Sequence, residues 1–447
     1  MAGEQHAVGP TTSNGRRIAV IGAGLAGLAA AVEAAGAGAT VTLFDARRSP
    51  GGRARTTDRD GLLLNEGAHA LYVDGAAMAF MRELGREPSG AAPSTDVVGV
   101  DGDIVGPLPS GLLSLLRTPL LAGDRIGFAR LMANLGRLNP ADFATTTVSE
   151  LLADRLGDGR AARLAHSLFR LTTYGNDPDR SSADVGIAQL QMALGTSVLY
   201  LDGGWQTLVD ALMVETAGRG VDVRAGAKVQ TVRPIDNGSA TDGRIEVVMD
   251  DGSPVPGGRF DAVVVAVGSP SASAGLLGDA GTSLSAAVAS ARPATVACLD
   301  LVIPQAWGPG PQVALGLDHP LYLSVHSPQA ALVPTGWSLA HVMVYHHPDQ
   351  TPDGDADRVR CEALLDRIRP GWRNAAAHIG FRPRLVAATD QPAAATGGMS
   401  GRPSIQIGDV DSGLFVAGDW VGPTGALADA SVASGRAAGR AAALTVR

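Results

Sequence analysis

Short runs of β-branched and aliphatic residues alternate with alanine-rich and leucine-rich stretches, and the change of period marks the elements of the chain. After Arg17 the run Ile18-Ala19-Val20-Ile21 is apolar at consecutive positions, as a strand covered on both faces requires. It ends at Gly22-Ala23-Gly24-Leu25-Ala26-Gly27, and the alanine-rich segment from Leu28 to Ala35 reads as a helix. Thr40-Val41-Thr42-Leu43-Phe44 is a second strand and ends in Asp45. Strand, glycine turn, helix and strand make a βαβ unit.

From about Met78 to Leu199 the apolar residues recur at helical intervals, among them Leu112, Leu113, Leu115 and Leu116, then Ile126, Phe128, Leu131, Leu135 and Leu138. This pattern predicts helices. Strands are predicted at residues 220–224, 227–232, 244–249 and 260–267, and the last contains the unbroken apolar run Ala262 to Val267. Residues 296–302 and 339–345 read as two further strands, and 362–368 as a helix ended by Pro370-Gly371.

The glycine spacing adds chemistry to the first unit. Gly22 permits the tight turn, Gly24 lets the backbone approach a pyrophosphate, and Gly27 lets the helix pack against its strand. The helix start, at Leu25 and Ala26, offers free N–H groups and the positive end of the helix dipole to phosphate oxygens. Asp45 stands where the ribose hydroxyls of an adenine dinucleotide are held. Ala46 and Arg47 follow, then Gly51-Gly52-Arg53, whose main-chain N–H groups and guanidinium suit the pyrophosphate.

Composition narrows the class. With 447 residues, 45% hydrophobic, the chain can bury two cores. A formal net charge of −8 gives no case for nucleic acid. Cys298 and Cys361 lie far apart with no CxxC, which predicts a reducing, cytoplasmic setting. Arg16-Arg17 before an apolar run has the look of an export signal, but that run carries the glycine turn and Glu33, so its removal would delete the nucleotide site. Residues 1–15 are small and polar and are predicted to be disordered. His346 and His347 are neighbours on a strand and point to opposite faces, so a solvated strand end is expected and no metal site.

These motifs resemble the FAD-dependent oxidoreductases that include monoamine and polyamine oxidases, protoporphyrinogen oxidases and phytoene desaturases. The resemblance rests on Gly22 to Leu28, Asp45-Ala46, Gly51-Gly52-Arg53, the Gly203-Gly204-Trp205-Gln206-Thr207-Leu208 turn, and a closing strand that ends in Ala417-Gly418-Asp419 before Ser434-Gly435. Asp45 replaces the usual Glu, and Ser49 a frequent Arg. The family implies an α/β fold: a Rossmann-type FAD-binding domain of the GR2-like flavoproteins with an inserted α+β substrate domain. Residues 16–77, 200–270 and 390–447 would form the first, and 78–199 and 271–389 the second.

The same resemblance implies site residues. The backbone of Val229 would pair with adenine, Gly418 and Asp419 would meet the ribityl chain, and the helix start at Leu427 and Ala428 would face the flavin N1–C2=O edge. His69, in Gly67-Ala68-His69, is the candidate catalytic, ring-facing residue. A substrate C–H about 3–3.5 Å from flavin N5 would pass a hydride. The contexts of His69 and Asp419 look closest to the phytoene desaturase-like branch, which implies dehydrogenation of a small lipophilic substrate. An amine or amino-acid oxidase and a redox-neutral isomerase are the alternatives.

Amine oxidation is disfavoured because the family's lysine near N5 is missing: Lys228 is the only lysine and lies on a nucleotide-side element. No cysteine flanks the closing motif, so FAD is expected to be non-covalent. No second glycine fingerprint is read, since the prolines of residues 307–311 deny Gly308 and Gly310 the flanking strand and helix. With no nicotinamide domain predicted, dioxygen or a quinone is the expected electron acceptor. The segment from Pro107 to Leu121 is a candidate for peripheral membrane contact, although its thin basic face favours core packing.

Overall fold

The structure is a computed structural model that describes residues 15–108, 122–235, 244–306, 310–409 and 411–444. The predicted disordered N-terminus (apart from Gly15) and most of the candidate membrane segment lie outside the described residues.

The βαβ unit is present as β1 (Arg17–Ile21), α1 (Leu25–Gly36) and β2 (Thr40–Asp45). It belongs to a six-stranded sheet in the order Asp222–Ala225, β2, β1, Ala262–Val265, Leu414–Val416 and Gln406–Ile407. All pairings are parallel except the last. The unbroken apolar runs have the predicted cause. Ile18 and Val20 pack under α1 and the C-terminal helix (Leu427–Leu444), while Ala19 and Ile21 pack under an antiparallel meander of Val229–Pro234, Ile245–Met249 and Pro254–Phe260.

The C-terminal helix lies directly on α1. A side chain added at Gly435 or Gly439 would overlap the carbonyl oxygens of Ala26 and Ala30, so glycine is needed for the close approach of the two backbones.

A second, seven-stranded sheet runs His378–Ala388, Ala294–Pro304, Trp337–Tyr345, Leu321–Val325, Val313–Gly316, Val97–Asp101 and Ile104–Pro107. One face packs on the helix Gly354–Ile368 through Leu299, Leu301, Val342 and Leu365. The other carries Val296, Cys298, Tyr322, Met343 and Tyr345 towards Ala68. A helical layer of Ala122–Leu135, Val148–Leu156, Arg160–Thr173 and Ala183–Gly195 closes the side.

Two expectations are corrected. The stretch from Met78 to Leu199 is not wholly helical: Val97–Asp101 and Ile104–Pro107 form a hairpin around Gly102, which has φ of +59°. His346 is not solvated. It is 8% exposed and held between Thr295 Oγ1 at 3.1 Å and Asp357 Oδ2 at 2.8 Å, because the following helix folds its first turn back over the strand end.

Candidate active site

The C-terminal ends of β1 and β2 open onto a cavity of about 900 Å³, at the upper end of the range for cofactor and small-molecule sites. Gly22, Gly24, Leu25, Ala26, Asp45, Ala46, Arg47, Gly52, Arg53, His69, Val229, Gly418, Leu427 and Ala428 all line it. Gly27 and Asp419 do not.

The end of the cavity beside β1 is built from two backbone loops. Gly22, at φ +102°, makes the turn, and a side chain on Gly27 would overlap the Gly22 carbonyl. The Gly51 N–H donates to Ala23 O at 2.7 Å, which ties the second glycine loop beside the first. At Gly24 a Cβ would meet nothing within 4 Å, so the space there is open to a ligand rather than filled by protein. Asp45 accepts from Ala23 N–H and Arg47 N–H, each at 2.7 Å. Its carboxylate is thereby fixed at the cavity wall with lone pairs left for a sugar hydroxyl.

Arg53 and Asp419 are placed differently from the expectation. Their side chains form a two-pronged ion pair, with Nη1 to Oδ2 and Nη2 to Oδ1 both at 2.8 Å. Thr389 donates to the same carboxylate through its N–H at 2.9 Å and through its hydroxyl. Burial opposes ionisation, but Arg53 and Thr389 outweigh it and hold the Asp419 carboxyl below the usual carboxylate range. Asp419 thus anchors Arg53 at the cavity wall instead of facing the cavity. Arg402 braces the same turn, donating to Asp419 O at 3.0 Å and Gly425 O at 2.6 Å.

The other end is mostly apolar. Ala68, Ala70, Val296, Met343 and Leu385 line it together with Tyr72, Tyr174, Trp205 and His69. His69 Nδ1 lies 2.9 Å from Gly67 O, and its ring centre is 5.0 Å from that of Trp205. Burial pushes the His69 pKa down, so the imidazole is neutral at pH 7. Trp205 Nε1 is buried and has no hydrogen-bond partner among the described residues. The Gly203-Gly204-Trp205 turn marked the place in sequence, but nothing there assigned the indole a role.

The helix Leu427–Leu444 begins at the cavity wall after Leu427, whose φ is +54°. Its first-turn N–H groups and dipole favour negative charge in front of Ala426 to Ala428. Open space at Gly24, the paired glycine loops and a helix N-terminus along one cavity fit a long, anionic, ring-bearing cofactor such as FAD. Lys228 is exposed on the chain immediately before Val229.

Behind the apolar end is a polar cluster that sequence spacing missed. Asp300, fully buried, accepts from His341 Nδ1 at 2.7 Å and from Arg382, with Cys298 Sγ at 3.4 Å. Cys298, Asp300 and His341 come close enough to hold an ion, but the Arg382 guanidinium already neutralises the carboxylate. His326 stacks on Tyr200 at 3.7 Å and meets His341 edge-on at 4.7 Å.

Comparison with known proteins agrees with this arrangement. The family model for flavin containing amine oxidoreductase matches residues 25–295. Hydroxysqualene dehydroxylase of Rhodopseudomonas palustris is 29% identical over 267 residues, which cover 56% of this chain and 62% of that protein. A probable zeta-carotene desaturase of Synechococcus elongatus is 41% identical over 71 residues, 15% of each chain. The chain therefore aligns with less than two thirds of these curated relatives. An oxidoreductase from Methanosarcina mazei superposes with a TM-score of 0.70 at 19% identity, covering 94% of this chain and 98% of that one. Cyclohexylamine oxidase from Brevibacterium oxydans gives 0.70 at 16% identity, covering 96% and 98%. At such identities the superpositions show a shared fold. The family model spans more than half of the sequence, and the chain belongs to the flavin-containing amine oxidoreductases, enzymes that work with FAD.

Proposed function

We propose that this enzyme dehydrogenates a small lipophilic molecule, with non-covalently held FAD taking the hydride at N5 and dioxygen or a quinone reoxidising it. The observation that carries the reading is the apolar end of the cavity. Ala68, Ala70, Val296, Met343 and Leu385 carry no charge. Of the carboxylates on the same cavity wall, Glu66 is paired with Arg55 and Asp429 accepts from Ala77 N–H, and the only lysine, Lys228, stands next to Val229 on the nucleotide side. The names of hydroxysqualene dehydroxylase and the zeta-carotene desaturase, both acting on isoprenoid molecules, support the same class.

FAD supplies the electron-pair acceptor. The chain supplies position and field. The loops at Gly22–Gly27 and Gly51–Arg53 would hold the diphosphate end, and Val229 would offer its main chain to adenine. The helix start at Ala426 to Ala428 would favour negative charge on a flavin edge placed before it. His69, neutral and beside Trp205, stands on the wall where the substrate and ring would meet and can accept a proton there. The apolar wall keeps water from the reacting carbon.

The test is an anaerobic titration of the purified, flavin-loaded enzyme with isoprenoid and amine candidates. Bleaching of the flavin band by polyene precursors, with a new conjugated product, is expected. Bleaching by amines alone would overturn the reading, and turnover with no net electron transfer would point to an isomerase.

A further inference from the structure

The helix start that faces the cavity already has an anion of its own. Asp429 stands in the first turn of Leu427–Leu444, is 3% exposed, and lines the same cavity as Ala426 to Ala428. Its Oδ1 accepts from Ala77 N–H at 2.8 Å, and its carboxylate packs against Gly75 so closely that any side chain there would overlap it. No ion pair to Asp429 is formed among the described residues. The groups facing it are Tyr72 and the main chain of Gly75 and Ala77, with His69 and Ser431 elsewhere on the wall of the same cavity. Burial keeps Tyr72 and His69 neutral near pH 7, so neither supplies a countercharge.

We propose that Asp429 is the redox-linked proton acceptor of the flavin site, binding a proton from solvent when FAD is reduced and releasing it when FAD is reoxidised. The inference rests on the reading that Ala426 to Ala428 face the N1–C2=O edge. Reduction adds two electrons and one proton to the ring system and leaves a negative charge on that edge. The edge and the Asp429 carboxylate, itself 3% exposed, would then share one helix N-terminus, where like charges repel. Protonating Asp429 removes the conflict, and by linkage its protonation makes reduction easier by the same factor. The carboxyl is suited to this exchange, since burial already pushes it up to about 6 against the pull of the helix dipole.

The experiment measures proton uptake on anaerobic reduction of the FAD-loaded enzyme, with a pH-indicator dye, at several pH values between about 6 and 8. Wild type should take up about two protons per flavin near neutrality and Asp429→Asn about one. The midpoint potential of the variant should fall less steeply with pH, and asparagine keeps the oxygen that receives the Ala77 N–H. Reduced-minus-oxidised infrared spectra of wild type should gain a protonated-carboxyl band that moves when aspartate is isotopically labelled, a readout that needs no variant. Flavin bound with equal proton uptake in both proteins, or wild-type spectra without that band, would overturn the inference alone. A wild type that binds no flavin would overturn the site reading as well.

Discussion

Gly24 separates folding from binding at the scale of one residue. Its backbone angles, φ −78° and ψ −178°, suit any L-residue, and a Cβ there would touch nothing within 4 Å. Gly24→Ala should leave the stability of the flavin-free protein unchanged or raise it by up to about 1 kcal/mol. The methyl group would stand where the diphosphate must approach, and FAD affinity should fall about tenfold or more, read by fluorescence titration. Asp419 is the opposite case. Asp419→Asn removes the countercharge of Arg53, whose side chain is 39% exposed and can rehydrate, so the loss should be about 2–3 kcal/mol in urea unfolding rather than the full value for a closed pair. Asp300→Ala strands His341 and Arg382 around a buried hole, and should cost about 3–5 kcal/mol.

At the scale of elements, the cradle depends on two helices touching at their backbones. Gly439→Ala places a methyl group against the Ala30 carbonyl, and the C-terminal helix must move off α1. A loss of about 1–3 kcal/mol is expected, with a lower flavin content on purification, since the start of the same helix lines the cavity. The elements also divide by how far they were legible in the chain. β1, α1 and β2 could be read because their periods and glycines are local. The Asp101-Gly102-Asp103 turn signalled a hairpin, but the leucines after it drew the reading towards helices. Asp300, His341 and Arg382 come from three strands, and His346 meets its carboxylate only after the chain turns into the next helix. No spacing rule spans such distances. The same holds for Asp429, which caps a helix start more than 300 residues earlier in the chain because Gly75 has no side chain to do so.

At the scale of the whole molecule, His166 and two aspartates, Asp390 and Asp429, oppose one another as pH changes. Burial pushes His166 down to about 4, so the unfolded chain binds a proton there that the folded one refuses. Its contribution is intact above about pH 6.5 and is lost as pH falls towards 4. Asp390 and Asp429, both pushed up to about 6 by burial, act in the reverse sense, and stability declines as pH rises from about 4 to 6. His166→Gln should therefore flatten the acid side of a stability profile measured by urea unfolding at successive pH values. Bound FAD should stabilise wild type by about 2.7 kcal/mol at a hundredfold excess over Kd, and at the same FAD concentration a tenfold weaker Gly24→Ala should keep only about half of that gain.

The position of Lys228 also makes the protein easy to instrument. It is exposed, and its neighbour Val229 lines the cavity, while Cys298 and Cys361 are both buried. An amine-reactive fluorophore therefore has one lysine side chain to couple to, at the end of the cavity proposed for adenine. Energy transfer from that dye to the isoalloxazine would report loading and release in real time, without an engineered attachment point.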